Sequence, residues 1–351
     1  MAEQSNVGSS ARIISLIDAW KLPFSHVIPD DKIVIMTDDA MDPLVWQSAM
    51  AALRAKGVTP VLTLFPRLKY HCADPPPAAL AATVESDVVV ALTTTALNSG
   101  TPGLRSLRRG GPGGRRTPIW LMEQTTVDIL TGEAGAGMTD DDVEEICERQ
   151  RRVGEIFDKS AALHVESKAG TKLTADISGM PPGYFAQRWS KRPFTRDSIT
   201  GRLGGGTWPI GEIHAEPLPG TAEGRVVWDV TAHHPSGAWK TPVTLVIQAG
   251  RVVGIEGSDE AREVRRYIDS FGDDRSLDVG GEIALGTNHR CLPSASSMRS
   301  EKKRLGAMHF GIGHGSDRGI VNSKLRLEGI VNHPTVVADG KVICEDGEFA
   351  I

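Results

Sequence analysis

With 351 residues, 40% of them hydrophobic, the chain is long enough to bury the cores of two domains. A net charge of -5 gives no electrostatic case for nucleic acid, and no apolar run approaches the roughly 20 residues needed to cross a bilayer. The opening stretch "MAEQSNVGSSARIISLIDAW" lacks the basic start and apolar core of a signal peptide, so a cytoplasmic protein without membrane insertion is expected.

The segment "DKIVIMTDDAMDPLVWQSAMAALRAKGVTPVLTLF" predicts a βαβ unit. Lys32 to Met36 and Val58 to Phe65 are short and β-branched, whereas Val45, Met50 and Leu53 recur at helical spacing up to Gly57. A helix at Ala78 to Val84, a strand in "SDVVVALTT" and another in "TPIWLME" follow, which implies a mostly parallel sheet. The basic run "LRSLRRGGPGGRRTP" reads as a solvated loop, being broken by Gly and Pro and lacking aromatics. No G-x-G-x-x-G follows the first strand, so no nucleotide cofactor is expected. Thr139 is a plausible N-cap for the helix "TDDDVEEICERQRRVGEIFDKS", which would close the first domain.

Beyond it the pattern changes to short strands and turns. Hairpins are predicted at Ala249-Gly250 and Asp339-Gly340, with the helix "SDEAREVRRYIDSF" between them and a turn at Gly204 to Gly206. The expected architecture is an α/β domain over 1–160 and a β-rich α+β domain over 161–351 that carries the active site. Cys72, Cys147, Cys291 and Cys344 are scattered without a C-x-x-C pair, which fits reduced thiols.

Seven of the ten histidines lie after residue 210, several in the Gly-rich runs "GEIHAEP", "GGEIALGTNH" and "MHFGIGHG", of which the first two also hold carboxylates. Glu212, His214, Glu282, His289, His309 and His314 have the side chains that zinc, iron or manganese would take, without a local spacing signature such as H-E-x-x-H. Taken singly, each is more often an ordinary hydrogen-bonded residue, and His233-His234 reads as a turn. Trp189, Trp208, Trp228 and Trp239 suit either core packing or the wall of a pocket for a flat ring.

In order, these segments resemble the motifs of the aminopeptidase T metallopeptidases and of their relatives, the 2,5-dihydroxypyridine 5,6-dioxygenases, over most of the chain. The peptidase-like matches are Gly211-Glu212, Gly281 to Asn288 and His309 to Gly313, and they imply Glu212, Glu282 and His309 as metal ligands. The dioxygenase pattern holds one Fe(II) with two His and one Asp, and it matches His289 in "TNHRC".

Both patterns end in S-x-x-H-x-D. Aligning that ending with Ser323 and "GIV" puts Arg326 at the His and Glu328 at the Asp. Arginine offers only donors, and at about 5 to 7 Å it would repel a divalent ion by roughly 2 to 7 kcal/mol at intermediate dielectric.

Three readings follow. A rebuilt centre of His289, His309 and Glu328 would hold Fe(II), with Arg326 on an anionic oxygen of a small hydroxylated or N-heterocyclic aromatic substrate whose ring is opened. Alternatively, Glu212, Glu282, His309 and Glu328 would hold zinc or manganese in a hydrolase, with His289 or His314 moving protons. In the third, Arg326 pairs with Glu282 or Glu328, the metal is absent because a guanidinium replaces it, and the protein is a binding module or acts by metal-free acid–base catalysis. The first is preferred, for a homo-oligomer, a dimer, acting on a small molecule.

Overall fold

The computed structural model describes residues 11–97, 101–109, 116–294, 297–315 and 321–351. Its contacts divide the chain into two compact units. The first runs to Lys69 and adds Ala73–Val143 and Arg192–Ile210; the second comprises Tyr70–Cys72, Glu144–Lys191 and Gly211–Ile351.

In the first unit, β1 (Ile33–Asp38), β2 (Val61–Phe65), β3 (Val88–Leu92), β4 (Ile119–Leu121) and β7 (Gly206–Thr207) form a parallel sheet in the order β2-β1-β3-β4-β7. Every residue of β1 and β3 is buried; β3 is apolar throughout, and β1 is apolar up to Met36 and ends in Thr37 and Asp38. Helix α1 (Pro43–Ala55) starts where the Asp42 carboxylate accepts the Leu44 N–H at 2.9 Å with Pro43 at its first position, and Gly57 follows its end with φ +83°. Further α-helices among the described residues of this unit are α2 (Pro77–Ala81), α3 (Pro102–Arg109) and α4 (Val127–Thr131).

Two expectations need correction here. The basic run is not all loop: its first part lies in α3, where Leu104 and Leu107, three residues apart, are buried on one face. Its residues 110–115 lie outside the described ones. Gly204 to Gly206 is more than a turn, since Gly206 begins the fifth strand of the sheet. That pairing puts Arg192–Ile210 in the first unit, so the division differs from a single cut at residue 160.

Helix α5 (Asp140–Phe157) begins in the first unit and continues into the second. The second unit also contains α6 (Tyr184–Trp189), α7 (Asp259–Phe271) and α8 (Met298–Lys303). Its larger sheet has eight strands: β5 (Ala162–Ser167), β6 (Lys172–Asp176), β9 (Glu223–Trp228), β10 (Val243–Gln248), β11 (Arg251–Gly257), β15 (Pro334–Ala338), β16 (Lys341–Glu345) and β17 (Glu348–Phe349). Both predicted hairpins form: β10–β11 turns at Ala249 and Gly250, β15–β16 at Asp339 and Gly340, all four residues with positive φ. A smaller antiparallel sheet in the order β14-β13-β12-β8 contains β8 (Glu212–Ala215), β12 (Ile283–Gly286), β13 (Met308–Gly313) and β14 (Arg326–Val331). The four cysteines are buried and not joined in disulfides.

Candidate active site

The small sheet has two chemically different faces, and strand alternation makes them. Ile213, Ile283, Leu285, Met308, Phe310, Ile312, Leu327 and Val331 belong to one apolar core cluster. Residues of the other parity are Glu212 and His214 on β8, Ala284 on β12, His309 on β13, and Arg326 and Glu328 on β14, with Glu282 immediately before β12. Ala284 pairs with His214 on one side and His309 on the other, and Gly311 pairs with Glu328. The small residues between the charged ones leave room for long side chains: a Cβ on Gly311 would come within 3.1 Å of the Glu328 Cγ.

Backbone conformation fixes the edge at Glu212. Gly211 has φ +124°, and a Cβ there would lie 2.3 Å from the Asn288 Cβ, so glycine is required. Asn288 in turn accepts the Leu305 N–H through its carbonyl at 3.0 Å and donates its own N–H to the Lys303 carbonyl at 2.9 Å. The motif glycine and asparagine thereby hold the end of α8 beside β8. That helix contributes Lys302 and Lys303, both buried.

A continuous network joins these side chains. The Glu282 carboxylate lies 2.8 Å from His214 Nδ1 through Oε2, and through Oε1 lies 3.1 Å from His309 Nε2 and 2.5 Å from Arg326 Nη2. Arg326 Nε donates to Glu328 Oε1, and Nη1 donates to the His314 carbonyl at 3.3 Å. Glu328 Oε2 accepts from Lys302 at 2.6 Å and lies 3.4 Å from His233 Nε2. Lys303 pairs with Glu212 Oε1, whose other oxygen lies 3.6 Å from His309 Nε2.

Charge state follows from these contacts. Burial works to raise the Glu282 carboxyl, but Arg326 and then His214 outweigh it and hold it well below the usual range. Burial is likewise outweighed by Lys303 and Lys302 at Glu212, which is held at about 2, and by Lys302 and Arg326 at Glu328, which is lowered. Desolvation pushes Lys303 down to about 8, whereas at Lys302 the carboxylates of Glu328, Glu212 and Glu282 overcome it and raise the ammonium to about 12. Burial lowers His309 and His233, so both imidazoles are neutral at pH 7.

The structure brings together Glu212, Glu282, His309, Arg326 and Glu328 of the residues anticipated from sequence. His314 adjoins them through its carbonyl, while its Nδ1–H donates to the Ser323 carbonyl at 3.0 Å. His289 follows β12 on a loop, with Nε2 3.9 Å from Glu145 and a side chain 27% exposed. Of the four tryptophans, Trp189 packs edge-on to His214, whereas Trp228 and Trp239 pack together in the core and Trp208 contacts Phe194 in the first unit.

Sequence reasoning did not weigh Lys302 and Lys303, gave His214 no role and read His233 as a turn. Alternation offered a signal only for His214, two residues from Glu212. His233 stacks on His71 with ring centroids 4.7 Å apart, a tertiary contact without local trace.

Among the described residues, ligand atoms of Glu212, Glu282 and His309 lie within 4.8 Å of one another and could hold a metal ion. The two-imidazole, one-carboxylate centre of His289, His309 and Glu328 is not gathered around that point. The oxygens that would receive an ion are already opposed by Arg326 at Glu282 and Lys303 at Glu212. Three carboxylates (Glu212, Glu282, Glu328) face three cations (Lys302, Lys303, Arg326), so the carboxylate charge is matched without an ion. An Fe(II) centre of the expected kind does not fit this arrangement.

Residues 137–350 match the family described as NicX, 2,5-dihydroxypyridine 5,6-dioxygenase. A curated 2,5-dihydroxypyridine 5,6-dioxygenase of Pseudomonas putida KT2440 is 29% identical over 120 residues, which cover 34% of this chain and 31% of that protein. The match thus spans about a third of the curated relative. Two solved structures share the fold. A 2,5-dihydroxypyridine dioxygenase from P. putida KT2440 superposes with a TM-score of 0.69 at 20% identity, covering 97% of both chains. Wild-type AmpT from Thermus thermophilus superposes with a TM-score of 0.56 at 13% identity, covering 97% of this chain and 100% of the other. The α/β-plus-β-rich architecture expected from the sequence agrees with both.

Proposed function

The chain belongs to the 2,5-dihydroxypyridine 5,6-dioxygenase family, and we propose that it is an enzyme that opens the ring of a small hydroxylated or N-heterocyclic aromatic acid. The observation that carries this reading is the buried charged face of the small sheet. There Glu282 is gripped by Arg326 and flanked by the two imidazoles of His214 and His309. A neutral imidazole beside an ionised carboxylate can accept a proton from a ring hydroxyl and deliver it elsewhere, which is the acid–base work that opening a hydroxylated ring requires. Guanidinium and ammonium groups in a water-poor site stabilise the negative charge that develops on ring oxygens.

A hydrolytic route, cleavage of a small cyclic or open amide, is the second reading. It is favoured by Lys302, Lys303 and Arg326, which neutralise the carboxylates a metal would use. Both readings place the chemistry on the same face and part over oxygen.

One experiment separates them. Ring absorbance and dissolved oxygen are followed together for a panel of dihydroxypyridines, hydroxybenzoates and cyclic amides, with wild type and Glu282→Gln. The reading expects loss of a ring band with wild type and its abolition in Glu282→Gln. Oxygen uptake matching ring loss identifies the oxygenase, and ring loss without uptake the hydrolase. An unchanged panel together with release of leucine from leucyl peptides would overturn the proposal.

A further inference from the structure

We propose that Arg326 is a built-in cation standing in for a divalent metal, so that the charged face operates metal-free. The inference rests on the reading of that face as the catalytic one, and it is carried by geometry. Arg326 bridges the carboxylates of Glu282 and Glu328 through different nitrogens, Nη2 and Nε, with its remaining terminal nitrogen anchored on the His314 carbonyl. Nothing about this side chain is peripheral: it is buried, and both its carboxylate partners are buried. Lys302 completes Glu328, and Lys303 completes Glu212.

A divalent ion placed among Glu212, Glu282 and His309 would therefore meet oxygens whose charge is already matched, and would add two positive charges to a buried cluster whose carboxylates are already balanced. The planar fork of arginine suits this duty better than lysine, because it reaches two carboxylates at once with fixed geometry. Arg326 is then a positioning residue: it holds Glu282 against His309 and His214, the part a metal would otherwise take in ordering the same donors.

The test is metal retention, which needs no turnover. Wild type, Arg326→His and Arg326→Lys are purified anaerobically, equilibrated with Fe(II), Mn(II) or Zn(II), desalted and analysed for metal, with circular dichroism to confirm folding. The expected result is that wild type and Arg326→Lys retain only traces, and that Arg326→His, in which the guanidinium gives way to an imidazole, retains a near-stoichiometric ion. Near-stoichiometric metal in the wild type, lost in Glu282→Gln, overturns the inference, as does a folded Arg326→His that stays empty. If Arg326→His does not fold, wild type and Arg326→Lys still decide: traces in both support the inference, and a stoichiometric ion in either refutes it. A protein that retains no metal and opens no ring with or without added Fe(II) sinks the proposed function and leaves the assignment of Arg326 as the stand-in cation intact.

Discussion

The two faces of the sheet formed by β8, β12, β13 and β14 are made from the same strands, yet they are held by different forces. On one side Ile213, Ile283, Leu285, Phe310 and Ile312 pack into a core that also takes in side chains of the eight-stranded sheet. On the other, Glu212, Glu282, His309, Arg326 and Glu328 are just as buried, but each is held by a specific partner of opposite charge or by a hydrogen bond. The apolar face tolerates small changes because dispersion and desolvation are summed over many contacts. The charged face is an all-or-none arrangement, since removing one ion strands its partner in a low-dielectric interior. Stability is thus distributed on one side and concentrated on the other, where the chemistry is proposed.

Breaking the charged side is expected to have the largest effect. Arg326→Leu leaves Glu282 with only imidazole neighbours and Lys302 4.0 Å away, and should cost about 4 kcal/mol in urea unfolding. A loss near zero would mean that Arg326 is not the pivot of the network.

Acid comes next. The unfolded-state carboxyl of Glu212 titrates near 4.5 and the folded one near 2. The stabilisation from this group is complete above pH 4.5 and is lost as pH falls toward 2, about 3 kcal/mol in all. The lowered His233 has the same sign of effect beginning earlier. Below its ordinary 6.5 the unfolded chain takes a proton that the buried ring refuses, so stability starts to decline there. Unfolding free energies measured from pH 7 to pH 3 should show this two-part fall, and a flat profile would remove the case for ionised carboxylates inside.

The smallest effect belongs to the apolar side. Ile283→Val should cost about 1 kcal/mol and leave ring opening per folded molecule unchanged, because the missing methylene faces away from Glu282. A comparable loss of activity would show that the two faces are not independent.

Much of this contrast was readable in advance. Arg326 and Glu328, alternating with Leu325 and Leu327, announced a charged strand face, and Gly211, Gly281 and Gly313 marked the elements around it. The parallel sheet and both hairpins followed from β-branched runs and turn dipeptides. What could not be read was tertiary. "MRSEKK" looks like any solvated surface run, yet all six residues of α8 are buried and two of them deliver the ammonium groups that balance Glu212 and Glu328. His289 is the opposite case. It stands beyond the last residue of β12, Gly286, where alternation no longer assigns a face, and motif resemblance alone put it in the centre.

The most direct test of a self-neutralised active face is ring opening by wild-type protein stripped with a strong chelator, followed by ring absorbance before and after Fe(II) is restored. Arg326, Lys302 and Lys303 supplying the positive charge predict an undiminished rate in the stripped protein and no gain from iron. Activity that vanishes on stripping and returns only with Fe(II) would contradict the account.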